Sequence, residues 1–336
     1  MTVQASNLES EQIPDPTAVE TAGGGAVAGK SPGRLALERF RKDRLSMVSA
    51  VVVAIYILLA IVAPLLVHFK VLDPQTFHQD LLNADTLPEG SFGGISASHP
   101  LGVEPGTGRD VLSRIVYGIT FSLAVAIAAT MVTMIVGTVM GIISGFAGGW
   151  TDSVIGRFID LTLSFPQTLM LLALSDQGVS LLADVLPGES TDPLPNGAYI
   201  VLVLGLFGWP SIARVIRGQV LTIREREFVE AAKLFGAPRR RIYFKEILPN
   251  LWAPLLVNFT LIMPLYISAE AALAFLGVSI PPPTPTLGNI LTGSLNYAQA
   301  DFLFFSAPAV LIMIIVVCFN LLGDGIRDAL DPKSAQ

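Results

Sequence analysis

"LSMVSAVVVAIYILLAIVAPLLV", residues 45–67, contains no Asp, Glu, Lys or Arg. At about 1.5 Å per residue, a helix of that length crosses a hydrocarbon layer of about 30 Å. Four more uncharged runs, residues 115–151, 193–213, 247–269 and 302–323, each accommodate at least one spanning helix. Residues 161–175 complete a sixth by absorbing Asp160 or Asp176 at an interface. Hydrophobic residues make up 52% of the 336-residue chain and charged ones 14%, with mean hydropathy +0.62. The fold class expected is all-α: a polytopic membrane protein with six transmembrane helices.

Basic residues set the expected orientation. With the N-terminus in the cytoplasm, all of the 21 Lys and Arg except Lys70, Arg109 and Arg114 fall on the inside. The positive-inside rule therefore places both termini in the cytoplasm of a multi-pass protein of the cell (inner or plasma) membrane. The net charge of -6 is spread over external and terminal acids and forms no basic surface for nucleic acid. The single cysteine, Cys318, lies in the last apolar run and excludes an intramolecular disulfide or a cysteine metal cluster.

The expected organisation follows. Residues 1–30, rich in Gly, Ala, Glu and Pro, read as a disordered cytoplasmic tail. Residues 31–44 form a basic juxtamembrane segment whose Leu35, Leu37 and Phe40 can rest on lipid. Residues 45–67 are the first span and 68–114 an external loop; residues 115–325 form a core of five further spans, with a cytoplasmic region at 219–250. Residues 326–336 read as a cytoplasmic tail.

Several features invite a chemical reading and do not sustain it. "GGAVAGKS", Gly24 to Ser31, has the spacing of a phosphate loop but lacks the strand and helix that such a loop needs. His68, His78 and His99 all fall in the external loop at spacings that match no metal-ligand pattern, so they read as solvated side chains, with no metal or cofactor expected. No His, Ser, Cys or carboxylate constellation converges in the spans, and no catalytic residue is assigned. Glu270, embedded in the outer part of the fifth span, reads as structurally paired rather than as a cargo contact.

"EFVEAAKLFGAPRRRIYFKEILPN", residues 227–250, is the most polar stretch between spans. Phe228, Ala231, Ala232 and Phe235 recur at helical spacing, Glu227 and Glu230 favour a helix start, and Gly236 followed by Pro238 stops it. Small alanines beside exposed aromatics make a surface that another protein's groove can approach closely, which suggests a docking element.

The stretch resembles the cytoplasmic signature of the membrane-spanning subunits of ATP-binding-cassette importers. The matching residues are Glu230, Ala231, Ala232, Gly236, Leu248 and Pro249, with Glu246 where the general pattern has Ile. "HPLGVEPGTGRDVLSRIVYGITFSL", "SGFAGGWTDSVIGRFIDLTLSFP", "LAFLGVSIPPPTPTLGNIL" and "FNLLGDGIRDALDP" look like the C-type permease subunit of dipeptide, oligopeptide and nickel importers. The resemblance implies a type I ABC importer permease fold with no catalytic role of its own. It also implies a second permease subunit forming a heterodimer, two ABC ATPase subunits and an extracytoplasmic peptide-binding protein. ATPase coupling would fall to Glu230, Ala231, Ala232, Phe235, Gly236, Leu248 and Pro249. The alternatives are a nickel-chelate permease and a stand-alone secondary transporter.

Overall fold

The computed structural model describes residues 32–90 and 92–330. The phosphate-loop look-alike and the 1–30 segment lie outside them. In chain order the helices are α1 (Pro32–Lys42), α2 (Arg44–His68), α3 (Val111–Ala147), α4 (Gly149–Ser164), α5 (Gln167–Ala173), α6 (Ser175–Val185) and α7 (Pro193–Ile223). They continue with α8 (Glu227–Leu234), α9 (Arg239–Arg241), α10 (Trp252–Phe275), α11 (Leu287–Ser294) and α12 (Phe302–Leu330). α2, α3, α7, the continuous Arg239–Phe275 rod and α12 are long and apolar enough to cross a membrane.

The sixth expected span departs from its prediction. Residues 161–175 are not one helix: α4 ends at Ser164, and the apolar stretch that follows is divided between α5 and α6, which meet at 65° and together are long and apolar enough for one broken span or a re-entrant loop. Pro166 lacks an amide hydrogen and holds Phe165 extended (φ −87°, ψ 128°), which ends α4. At the second break Ser175 Oγ donates to the Leu172 carbonyl at 3.0 Å, a local bond that competes with the helix ladder. α12 likewise continues to Leu330, past the expected boundary at 325.

α3 and α7 run parallel and form the spine of the bundle. Gly137, Gly141 and Gly145 lie one turn apart along α3, and a Cβ on any of them would meet α7 atoms of Ile212, Ile216 or Val220 at 2.7–2.9 Å. Without side chains there, the two backbones approach closely enough for dispersion to hold them where lipid removes the hydrophobic incentive. α10 crosses this pair with Tyr266, whose hydroxyl donates to the Leu204 carbonyl at 3.0 Å and lies 2.7 Å from Thr133 Oγ1. Pro64 in α2 cannot bond back to Ala60, and Thr120 of α3 donates to that freed carbonyl at 2.9 Å.

α1 is only partly a lipid-facing element. Leu35 and Leu37 are exposed as expected, but Phe40 packs toward Gly325 of α12. The segment between α2 and α3 is ordered by local pairing. Asp110 caps α3 by accepting from the Ser113 amide at 2.7 Å, and its other oxygen lies 2.9 Å from His99 Nδ1. His78 sits beside His99 with ring centroids 5.1 Å apart, so these two histidines are packed in the loop rather than solvated. Glu104, Arg109 and Arg114 form a buried ionic cluster, with Arg109 Nε 2.7 Å and Arg114 Nε 3.5 Å from Glu104 Oε2. Arg114 also donates to the Pro74 and Pro283 carbonyls, pinning that loop to the one before α11.

Candidate functional site: the α8 projection

α8 projects from the end of the bundle where α3 and α7 finish. Glu227 and Glu230 in its first turn face the helix N-terminal partial charge. At the other end the Gly236 amide donates to the Lys233 carbonyl and the Ala237 amide to the Ala232 carbonyl, both at 3.0 Å. This paired closure needs a left-handed residue, and Gly236 supplies it at φ +73°. No atom lies within 4 Å of a Cβ built there, so backbone conformation alone explains the glycine. Pro238 then starts the return through α9, a π-helical turn (Ile242–Ile247) and a 3-10 turn (Leu248–Leu251) into α10. The irregular turns have a cause: Pro249 cannot donate, and Asn250 Nδ2 takes the Glu246 carbonyl at 2.6 Å.

Val229 anchors α8. It is fully buried among Ile216, Val220, Ile242, Ile247 and Leu251, with Ala232 packed at the edge. Opposite this anchor, Leu234 and Phe235 are 88% and 91% exposed, and Phe228 is 41% exposed. Lys233 braces the helix: its ammonium lies 5.3 Å above the Phe146 ring and donates to the Arg224 carbonyl. Arg224 in turn donates to the Gly145 carbonyl at 3.0 Å, satisfying a group at the end of α3.

Asp152 ties α4 into the same base. It accepts from Arg217 Nε and Nη2, both at 2.6 Å, and from Ser144 Oγ. The Arg217 hydrogen bonds hold its carboxyl below the usual carboxylate value, with Ser144 adding to the effect against partial burial. α8 therefore rests on a braced platform made from the ends of α3, α4 and α7.

The sequence-predicted residues do not form one surface. Glu230, Phe235 and Gly236 are exposed on the projection, and Ala231 and Ala232 are half-buried on its flank. Leu248 lines an apolar cavity of about 490 Å³ between α3 and α10, and Pro249 is exposed at the helix joint. Sequence reading missed Val229 and Leu234. A valine between two glutamates carries no motif, yet its i, i+3 relation to Ala232 was the available signal. Beside α8, Gln219, Thr222, Glu225, Arg226, Glu227 and Asn250 line a polar cleft of about 710 Å³. Among the described residues no group of three or more His, Cys, Asp or Glu could hold a metal ion. The site offers a rigid apolar tip with a polar flank, suited to binding a protein groove.

Residues 137–336 match the family described as "Binding-protein-dependent transport system inner membrane component". Residues 31–88 match the "N-terminal TM domain of oligopeptide transport permease C". The chain is 36% identical over 303 residues to a dipeptide transport system permease protein of Alkalihalophilus pseudofirmus, covering 90% of each. It is 34% identical to an oligopeptide transport system permease protein of Bacillus subtilis, covering 89% of this chain and 88% of that one. A glutathione transport system permease protein of Shigella flexneri is 36% identical, with 88% of each chain covered. In fold, the chain is similar to a solved structure of the MetNI methionine ABC transporter in an inward-facing conformation. That likeness has a TM-score of 0.51 at 19% identity and covers 66% of this chain and 96% of the other.

Proposed function

The chain belongs to the family of binding-protein-dependent transport system inner-membrane components, and from that membership we propose how it works. It is the permease subunit of an ATP-driven importer of di- or oligopeptides, supported by the peptide and glutathione permeases among its relatives. None of those three is a nickel permease, and membership of this family displaces the stand-alone secondary transporter. The observation that carries the mechanism is the Leu234–Phe235 tip, apolar and almost fully exposed on a helix whose opposite side is locked by Val229.

In this reading the α8 end of the bundle is cytoplasmic, as are both termini, and the tip seats in a groove of one of two ATPase subunits. A second permease completes the pathway, and an extracytoplasmic binding protein delivers the peptide. Glu230, Ala231 and Ala232 form the flank that meets the ATPase. Phe235 is the anchor, Gly236 sets the exit angle, and Leu248 and Pro249 pass movement into α10. ATP binding draws the ATPases together, and α8 moves with them because its platform is braced. Hydrolysis resides in the partner subunits.

Reconstitution of the chain with its co-purifying subunits in vesicles tests this reading. Peptide uptake should follow ATP and persist when ionophores collapse ion gradients. Uptake that stops with the gradient while ATP remains would refute it.

A further inference from the structure

α3 and α10 part at the α8 end of the bundle and leave an apolar groove of about 490 Å³. Met134 and Ile143 mark its extent on α3, and Phe244, Leu248, Trp252 and Phe259 run along the facing Arg239–Phe275 rod. Beyond Met134 the helices close, because Thr133 Oγ1 lies 2.7 Å from the Tyr266 hydroxyl. At 1.5 Å of rise per residue, Met134 to Ile143 measures about 14 Å and Phe244 to Phe259 about 22 Å. These lengths match one leaflet, which is about 15 Å of hydrocarbon and about 20 Å with its head groups.

The open end differs chemically from the depth. Tyr243 and Trp252, side chains of the kind that settle at a membrane–water interface, line the groove with Phe244, and Trp252 and Phe244 are 60% and 61% exposed. Arg239, Arg240, Arg241 and Lys245 lie exposed in the same stretch, and Glu246 is the one acid among residues 239–246. None of these four cations makes an ion pair among the described residues. Lys245 directly follows Phe244 and Arg241 stands one turn earlier on the rod, so both sit where the groove opens.

A partner helix laid in this groove would cross the whole layer of about 30 Å and would leave the cations at one end unexplained. A lipid accounts for both features: its tail spans one leaflet, and its phosphate meets the cations at the surface. We propose that the groove holds an acyl chain of an anionic glycerophospholipid from the leaflet at the α8 end, with the phosphate held by Arg241 and Lys245. Basic pockets between spanning helices take anionic head groups in this way. The site goes beyond the importer reading and does not depend on it.

The test uses the complete complex in vesicles of equal parts phosphatidylglycerol and phosphatidylcholine, with a diazirine on the acyl chain of one lipid or the other. After irradiation, lipid-bearing peptides are mapped by mass spectrometry, and labelling in the groove is compared with labelling around Ile61, which is 64% exposed on α2. The ratio of phosphatidylglycerol to phosphatidylcholine labelling should be about fivefold higher in the groove than at Ile61, the scale of one cation near a charged membrane surface. Arg241→Gln combined with Lys245→Gln should bring that ratio down to the Ile61 value, whereas Arg241→Lys combined with Lys245→Arg should keep it. Val139→Trp, which fills the groove from α3, should lower labelling there by both lipids. Equal ratios in the groove and at Ile61 would mean bulk lipid only and would overturn the proposal. Groove residues labelled by neither lipid would overturn it too, since a second permease or an ATPase would then cover them. The labelled lipids occupy both leaflets and no ATP is used, so a complex without ATP-driven uptake would refute the importer reading and leave this site standing.

Discussion

Arg217 grips both carboxylate oxygens of Asp152, Nε to Oδ1 and Nη2 to Oδ2, each at 2.6 Å, and so closes α4 onto α7 beside the α8 platform. A bidentate pair of this kind restrains rotation as well as separation. The coupling role proposed for α8 would need that restraint, since a tip that pivoted on a soft base would absorb movement instead of passing it on.

The pair carries a pH signature. Asp152 is held below its usual value of 3.8, chiefly by the Arg217 hydrogen bonds. Its contribution to stability is therefore fully present above the usual carboxylate value and is lost as pH falls through the depressed one. In detergent, the stability gap between the unmodified protein and Asp152→Asn should be constant from neutral pH down to about 5 and narrow only in stronger acid. A gap that vanished near neutrality would contradict the assignment.

Val229→Asp should separate footing from tip. Placing a carboxylate among Ile216, Val220, Ile242 and Leu251 leaves it unpaired, so α8 should detach while the spans remain inserted. Limited proteolysis should show new cleavage within 224–241, and ATP hydrolysis in the complex should continue without uptake.

Gly236→Ala forces an L side chain into φ +73°, a cost of about 1–2 kcal/mol. Since nothing lies near the added methyl group, the loss is conformational rather than steric. Reduced uptake with little change in complex assembly is expected. Gly236→Pro, whose ring cannot adopt that angle, should abolish uptake.

Gly141→Leu tests the spine. Its added carbon would stand 2.8 Å from the Ala213 carbonyl oxygen and from Ile216 Cβ, so α3 and α7 must part. Overpacking of this kind costs about 1–3 kcal/mol. Thermal unfolding in detergent should fall by several degrees, whereas Gly156→Leu, at a position with nothing within 4 Å, should have little effect.

What the sequence made legible followed from uninterrupted chemistry. Residues 45–67 lack charge and become α2 with shifts of one residue at either end. The Gly236–Pro238 stop was equally plain, because backbone rules act locally. The 161–175 span was misread because its hydropathy averages over two breaks, and the Ser175 bond that favours the second depends on rotamer choice. The first loop hid its order for another reason. His99 and Asp110, and Glu104 and Arg114, are separated by too many residues of irregular chain for any periodicity to reveal their pairing.

The Leu248–Pro249 pair, legible as a signature, lies at the joint between α9 and α10. Its proline loosens the ladder into π and 3-10 turns where α9 passes into α10. Pro249→Ala should regularise the helix and rotate the exit of α8, lowering uptake more than ATPase association.

Crosslinking from the tip itself puts the coupling claim to the strictest test. With Cys318→Ala removing the native thiol, Phe235→Cys carries a short bifunctional reagent in the assembled complex, and the captured neighbour is identified by mass spectrometry. The account predicts capture of a nucleotide-hydrolysing subunit, with a yield that changes when ATP and vanadate are added. Capture of lipid alone, or of no nucleotide-hydrolysing subunit in any nucleotide state, would contradict it.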